Sequence, residues 1–196
     1  MNVCRTCCLN TDQFLLGDEI WFKLTTGERV CAKAVQECED GMIFITKDCI
    51  EQEVPVYKIA PKVYSDYIHS DLRKYLNSKL LSFFPEKIRS RMVPMMIKDS
   101  CRDYLRVPTE KEIFGENTFG VVEERHTKQF YGMKDCHNRV AFAQDELQWY
   151  WLQNQVSSEA FAFVNHNGNA NCVNAYACLG VRLVFKLKNN HKATHE

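Results

Sequence analysis

No stretch of the 196 residues approaches the roughly 20 uninterrupted apolar positions that spanning a bilayer requires. The opening Met1-Asn2-Val3-Cys4-Arg5-Thr6-Cys7 lacks the apolar core of a signal peptide, so a soluble, unsecreted chain is expected. Net charge is missing too: 25 Lys and Arg stand against 25 Asp and Glu. That balance argues against a partner held by bulk electrostatics, and neither nucleic acid nor a membrane is the expected partner. There is no Gly-x-Ser-x-Gly elbow and no glycine-rich phosphate loop, and none of His126, His137 and His166 lies at helical i, i+4 spacing with another histidine. His126, His137 and His166 stand alone in polar surroundings and read as surface residues.

The ten cysteines lack any spacing that resembles a disulfide framework. In a reducing compartment they are expected to be thiols packed as small apolar side chains. Cys4-x-x-Cys7, with Cys8 adjacent, has metal-like spacing, but structural zinc needs four ligands and no second such pair exists. Cys4 and Cys7 are therefore weak metal candidates, and no cofactor is expected.

What is present suits one globular domain: 45% hydrophobic, 26% charged and 12% aromatic residues. Polar turns at Thr25-Thr26-Gly27-Glu28 and Glu39-Asp40-Gly41 punctuate apolar runs, so residues 15–55 read as an antiparallel meander. After Ser70, Leu72, Tyr75, Leu76, Leu80 and Leu81 recur at intervals of three and four, which predicts an amphipathic helix over 71–81. Pro85 opens a second short helix, and Thr109 to Gly115 reads as a capped helical turn ended by glycine. Leu147–Leu152, Phe161–Val164 and Val181–Leu187 read as strands. The division expected is an arm over 1–14, one domain over 15–187 and a polar tail over 188–196.

Three features of the last third bear on function. Trp149 and Trp151 share one face of a strand and are assigned to structure, with at least one face buried against the 71–81 helix. Arg182 lies in an apolar strand; if buried it needs a carboxylate or a backbone carbonyl, and structural anchoring is the expected role. Asn165, Asn167, Asn169 and Asn171 fall at alternate positions around His166. They share a face if the segment is extended, or crowd a hairpin tip if it turns at Asn167-Gly168. Amides that both donate and accept hydrogen bonds suit a ligand-facing surface.

The order of Asp71-Leu72-Arg73-Lys74-Tyr75-Leu76-Asn77, Phe83-Phe84-Pro85-Glu86-Lys87-Ile88, Arg106-Val107-Pro108-Thr109-Glu110-Lys111-Glu112-Ile113, Trp149-Tyr150-Trp151-Leu152 and Gly180-Val181-Arg182-Leu183-Val184-Phe185 resembles an uncharacterised family of bacterial and phage domains associated with C-type-lectin-like folds. The resemblance spans about residues 15–187. It departs at Gln153-Asn154, where the family pattern has Arg-Ser, and at Leu183-Val184, where it has Pro-Ala. It implies an α+β, C-type-lectin-like fold with a mixed, mostly antiparallel sheet, two short helices and long irregular loops.

Recognition in such domains tends to sit in late loops, here about 153–178. The function expected is non-enzymatic binding of a protein or glycan, with Asn154, Asn165, His166, Asn167, Asn169 and Asn171 facing the ligand. A calcium-dependent site is not expected, because that region offers only Glu159 as a carboxylate. The resemblance extends to formylglycine-generating enzymes, so a cysteine-based metal or redox enzyme is the alternative, with Cys172 and Cys178 as weak candidate ligands. A phage inhibitor of a host defence protein is a further alternative. Localisation in the host cytoplasm or in a virion follows from these readings.

Overall fold

The computed structural model describes residues 6–7, 13–59, 66–98, 101–120 and 127–189. Its strands are β1 (Thr6–Cys7), β2 (Glu19–Lys23), β3 (Arg29–Cys38), β4 (Gly41–Thr46), β5 (Ile50–Val54), β6 (Met92–Val93), β7 (Met95–Lys98), β8 (Cys101–Asp103), β9 (Ala141–Ala143), β10 (Glu146–Gln148), β11 (Tyr150–Gln155), β12 (Ala160–Val164), β13 (Ala170–Asn174), β14 (Leu179–Val181) and β15 (Val184–Leu187). A six-stranded sheet runs β1-β2-β3-β4-β15-β6 and a five-stranded sheet runs β13-β12-β11-β14-β5. β7–β8 and β9–β10 are separate hairpins. Pairing is antiparallel except between β1 and β2 and between β11 and β14. The architecture is therefore α+β and mostly antiparallel, with a few short helices.

The meander expected over 15–55 holds for β2, β3 and β4, but β5 belongs to the other sheet. The reason is steric. β4 has β3 on one edge and β15 on the other, so a following strand finds no edge to join. β4 is buried along its whole length, and its alternate side chains serve two cores. Met42 and Phe44 pack with Phe22, Trp151, Phe161 and Phe185 on one side; Ile43 and Ile45 pack with Tyr150, Leu152, Met133 and Val184 on the other. Burial on both faces explains why this strand reads as a continuous apolar run.

Helices cover the first core. Ser70 caps α1 (Asp71–Tyr75), its Oγ accepting the Arg73 N–H at 3.0 Å. A π-helical turn, Leu76–Leu80, follows, then α2 (Leu81–Phe83) and α3 (Glu86–Arg89). The 71–81 helix is thus present with a widened middle. Leu72, Leu76, Leu80 and Phe84, at four-residue spacing, are all at most 2% exposed. In a regular α-helix a four-residue step overshoots one turn by about 40°, so the series would rotate off the core. The wide turn, in which the Leu81 N–H reaches back to the Leu76 carbonyl, counters that drift.

The irregular middle of the chain covers the second core and is held by charge. α4 (Glu110–Phe114) opens with a capping box between Thr109 and Glu112 and ends at Gly115 with φ +87°. Glu112 also receives Arg106 in a buried two-bond pair, at 2.6 and 2.5 Å, while the Arg106 backbone bridges to Val184 of β15. Tyr131 donates its N–H to the Val35 carbonyl, which lays 130–133 over β3. At the ends, the Asn189 amide exchanges hydrogen bonds with the Phe14 backbone at 2.7 and 3.1 Å, and both residues are buried. The packed unit therefore takes in Phe14 of the expected arm and the start of the expected tail, and Thr6–Cys7 of that arm pairs with β2.

Leu76→Ala should cost ~2–5 kcal/mol, because the side chain is fully buried and the cavity is flanked by the π turn and both sheets. Chemical denaturation checks this; a loss below about half a kcal/mol would contradict the packing described.

Candidate ligand-recognition surface

The β12–β13 connection is a tight turn, and the asparagines divide by role within it. Asn165 turns its amide oxygen inward to accept the N–H groups of Asn167 and Asn169, at 2.9 and 3.1 Å. This is the usual reason for Asn in a turn: its side chain supplies the acceptor that the backbone lacks. Gly168 is buried with φ +74°, and a Cβ there would lie 2.7 Å from the Cys136 carbonyl oxygen. Only glycine fits, and its fit presses the hairpin tip onto the 3-10 turn Cys136–Arg139. His166, Asn167, Asn169 and Asn171 are exposed.

Beside the tip, Trp149 donates its indole N–H to His166 Nδ1 at 2.8 Å. The two rings stack at 6.0 Å, and the indole rests on Phe163 at 5.1 Å. Trp149 nevertheless remains 39% exposed. The result is an aromatic ledge with its orientation fixed from two sides. Trp151, two residues on, is fully buried and donates to the Val54 carbonyl at 2.7 Å, in the same core as the 71–81 helix. Phe142 and Leu147, opposite each other on the β9–β10 hairpin, are 42% and 52% exposed. That hairpin turns on Gln144 and Asp145, both with positive φ, at 51° and 65°.

Asn154 does not belong to this surface. It is buried at 3% exposure, and its Oδ1 caps the Glu110 N–H at 2.7 Å. Gly120 packs so closely over it that a Cβ there would sit 2.6 Å from the Asn154 Cβ. Its place in the polar run after Trp151-Leu152 made it look like a loop residue; its partner lies far away in sequence, so no local signal revealed the burial. Asn165 is likewise structural.

Of the cysteines, Cys31, Cys49, Cys101, Cys136, Cys172 and Cys178 are free thiols. Cys4 lies outside the described residues, as does the Cys7 side chain. His126 does as well. Among the described residues one group offers three ligating atoms together, Asp135, Cys136 and His137, all exposed and within 4.8 Å of one another. Cys172 and Cys178 are not part of it. The carboxylate, at 3.1 Å, and the thiol, at 3.8 Å, meet the same nitrogen, His137 Nδ1. A relay from carboxylate through imidazole to thiolate uses both ring nitrogens, so this trio is not built as a nucleophile with its base.

Two clefts flank these elements. One, of about 240 Å³, lies between the β2–β3 turn and the π turn, with Glu28 its charged lining residue. The other, of about 220 Å³, opens between β4 and the 131–142 segment, with Arg182 at its wall. Arg182 is 4% exposed. Its Nε donates to the Thr46 carbonyl at 2.7 Å; its Nη1 donates to the Asn138 carbonyl at 2.9 Å and meets the Tyr150 hydroxyl at 3.2 Å. Backbone carbonyls, not a carboxylate, thus hold the arginine. Of its lining residues, Arg182 and His137 stood out in the sequence, the latter as a surface residue; Lys33, Lys47 and Met133 reach this cleft from separate segments.

A family profile described as a domain of unknown function, DUF6273, matches residues 40–189. The chain belongs to the DUF6273 family. No curated protein matches it, and no solved structure does. The DUF6273 span begins at the β3–β4 turn, and it includes the hairpin tip, the Trp149 ledge and most of the cleft around Arg182. No helix among the described residues of this DUF6273 protein is long and apolar enough to cross a membrane.

Two outcomes test the geometry. Asn167→Ala with Asn169→Ala should leave the melting temperature nearly unchanged, while Asn165→Ala should cost ~0.5–2 kcal/mol by orphaning two N–H groups. Thermal melts of the two variants separate these roles. Burial, chiefly, pushes the Cys31 and Cys49 thiols from 9.0 up to about 12. Unfolded thiols lose protons above 9.0 that the folded ones keep, so stability should fall as pH rises from there toward 12. Denaturant titrations should show a shallower fall in Cys49→Ala.

Proposed function

We propose that this DUF6273 domain is a non-enzymatic recognition module of C-type-lectin-like architecture and bacterial or phage origin, which contacts a protein or glycan through its late loops. The contacting residues would be Trp149, His166, Asn167, Asn169 and Asn171. The observation that carries the reading is the Trp149–His166 ledge. An indole 39% exposed yet fixed by a hydrogen bond and two ring contacts loses little conformational entropy on binding. Its face offers apolar contact to a side chain or to the C–H face of a sugar. The neighbouring exposed amides supply donors and acceptors around it. The fastening of the tip through Gly168 supports the same reading, since a surface held in shape binds without first having to order.

The cysteine-based metal alternative has one observation in its favour, the exposed Asp135, Cys136 and His137 trio. Stoichiometric zinc or copper in protein purified under reducing conditions, lost in Cys136→Ser, would replace the recognition reading.

Glycan and peptide arrays probed with the whole chain test the preferred reading. Trp149→Ala should weaken a selected ligand by more than ~1 kcal/mol, as truncating a central aromatic anchor does. A ligand bound equally well by Trp149→Ala and by Asn167→Ala with Asn169→Ala would place recognition elsewhere and sink the assignment.

A further inference from the structure

The cleft beside β4 holds a cation that no carboxylate among the described residues pairs with. Arg182 is 4% exposed, and every acceptor it meets is neutral: backbone carbonyls and the Tyr150 hydroxyl. Buried charges are ordinarily paired, because desolvating an ion without a counter-ion is costly. The groups that could balance it are otherwise engaged. Glu19 pairs with Lys47 at 3.3 Å, and Asp48 accepts the Phe142 N–H at 3.2 Å; neither forms an ion pair with Arg182. Cys49, close enough to sense the guanidinium, is kept neutral by burial.

One edge of the guanidinium is unused. Nε and Nη1 are committed, whereas Nη2 donates to none of the described residues, and the side chain forms part of the cleft wall. Here a planar donor is held rigidly by its other two nitrogens and stacked over the Tyr150 ring at 5.4 Å. That is how a preorganised oxyanion site is built.

We propose that this cleft binds the carboxylate of a singly charged ligand with an apolar body, the oxyanion meeting Arg182 Nη2. Charge favours one negative charge over two. The lining carries Lys33, Lys47 and Arg182 against Glu19 and Asp48, an excess of one positive charge among these five, which a carboxylate cancels and a phosphate dianion overshoots. Ile45, Met133, Val140 and Phe142 line the remaining wall and receive the apolar part. At about 220 Å³ the cleft falls below the roughly 300–1,000 Å³ of sites for drug-sized molecules, so it takes a single compact group. A free aryl or alkyl acid and the terminal residue of a peptide both present that chemistry. The site does not depend on the Trp149 ledge and stands if the hairpin tip binds nothing.

The test titrates isotope-labelled whole chain by NMR with 3-phenylpropionate, with N-acetyl-glycyl-phenylalanine, with the C-terminal amide of that peptide, and with inorganic phosphate. Saturable shifts at Met133 and Phe142 are expected from at least one of the two carboxylates. The amide and phosphate should bind about tenfold more weakly or not at all. Whichever carboxylate binds tighter identifies the source as free acid or chain terminus.

Two rim variants avoid the risk that a buried arginine substitution simply unfolds the protein. Lys33→Gln should weaken carboxylate binding severalfold, and Asp48→Asn, which keeps an acceptor for Phe142, should strengthen it; neither should move the amide. Absence of saturable shifts with both carboxylates, equal binding of acid and amide, tighter binding of phosphate, or rim variants that fail to move affinity in opposite directions would each overturn the proposal.

Discussion

One antiparallel pair of chain segments belongs to both sheets, and the rest of the fold is arranged around its bend. Residues 41–46 pair with 184–187 in the six-stranded sheet, and residues 50–54 pair with 179–181 in the five-stranded one. The two segments leave one sheet for the other side by side, at Thr46 and at Arg182-Leu183. There the ladder is kept closed by the Thr46 N–H on the Leu183 carbonyl and by the Thr46 hydroxyl accepting the Leu183 N–H. Arg182 fills the bend and satisfies the Thr46 carbonyl that a flat sheet would have paired. A polar bend inside a packed interior needs such partners, since each unmade backbone hydrogen bond there costs about 1–3 kcal/mol. The same demand puts a guanidinium where a cleft opens beside it, so the architectural role and the binding chemistry of Arg182 arise from one geometry.

A second principle governs the irregular segments, which have little regular hydrogen bonding of their own. Each is attached by a buried or half-buried charge: Arg106 to Glu112, Arg73 to Asp103, Lys186 to Asp40, and Glu110 to the Phe119 and Gly120 N–H groups. Such pairs add little net stability over an apolar substitute, but losing one partner leaves an uncompensated charge. Their effect is positional. They hold the segments they join in place, and the Glu112 carbonyl in turn accepts the Phe130 N–H just before the 131–142 wall.

Much of the local structure was legible because its causes are local. The Ser70 cap, the Thr109 and Glu112 box, Gly115 and the Asn165 to Gly168 turn all act within a few residues. The alternation of Tyr150 and Trp151 likewise assigned their faces, whereas Trp149, read as structural, lies just before β11 and is 39% exposed. What escaped depended on distant partners. β5 could not be assigned to the second sheet without knowing that β15 takes the free edge of β4. Asn154 looked like a loop amide because its partner, Glu110, is 44 residues away. The candidate ligand set shrank accordingly to the exposed residues of the tip, and the Arg182 cleft draws its walls from segments that periodicity cannot bring together.

The π turn at Leu76–Leu80 also changes how the molecule tolerates a change of chain length. A wide turn is an α-helix with one residue inserted. Removing one residue between Leu76 and Leu80 would return the segment to regular α-helix and leave the flanking ends, α1 and the Phe84 anchor, facing the core as before. The same deletion within α1 would swing every later side chain by about 100° and turn Leu76 and Leu80 toward solvent. The helix thus contains one short window in which this protein can lose a residue without losing its packing, bounded by positions in which it cannot.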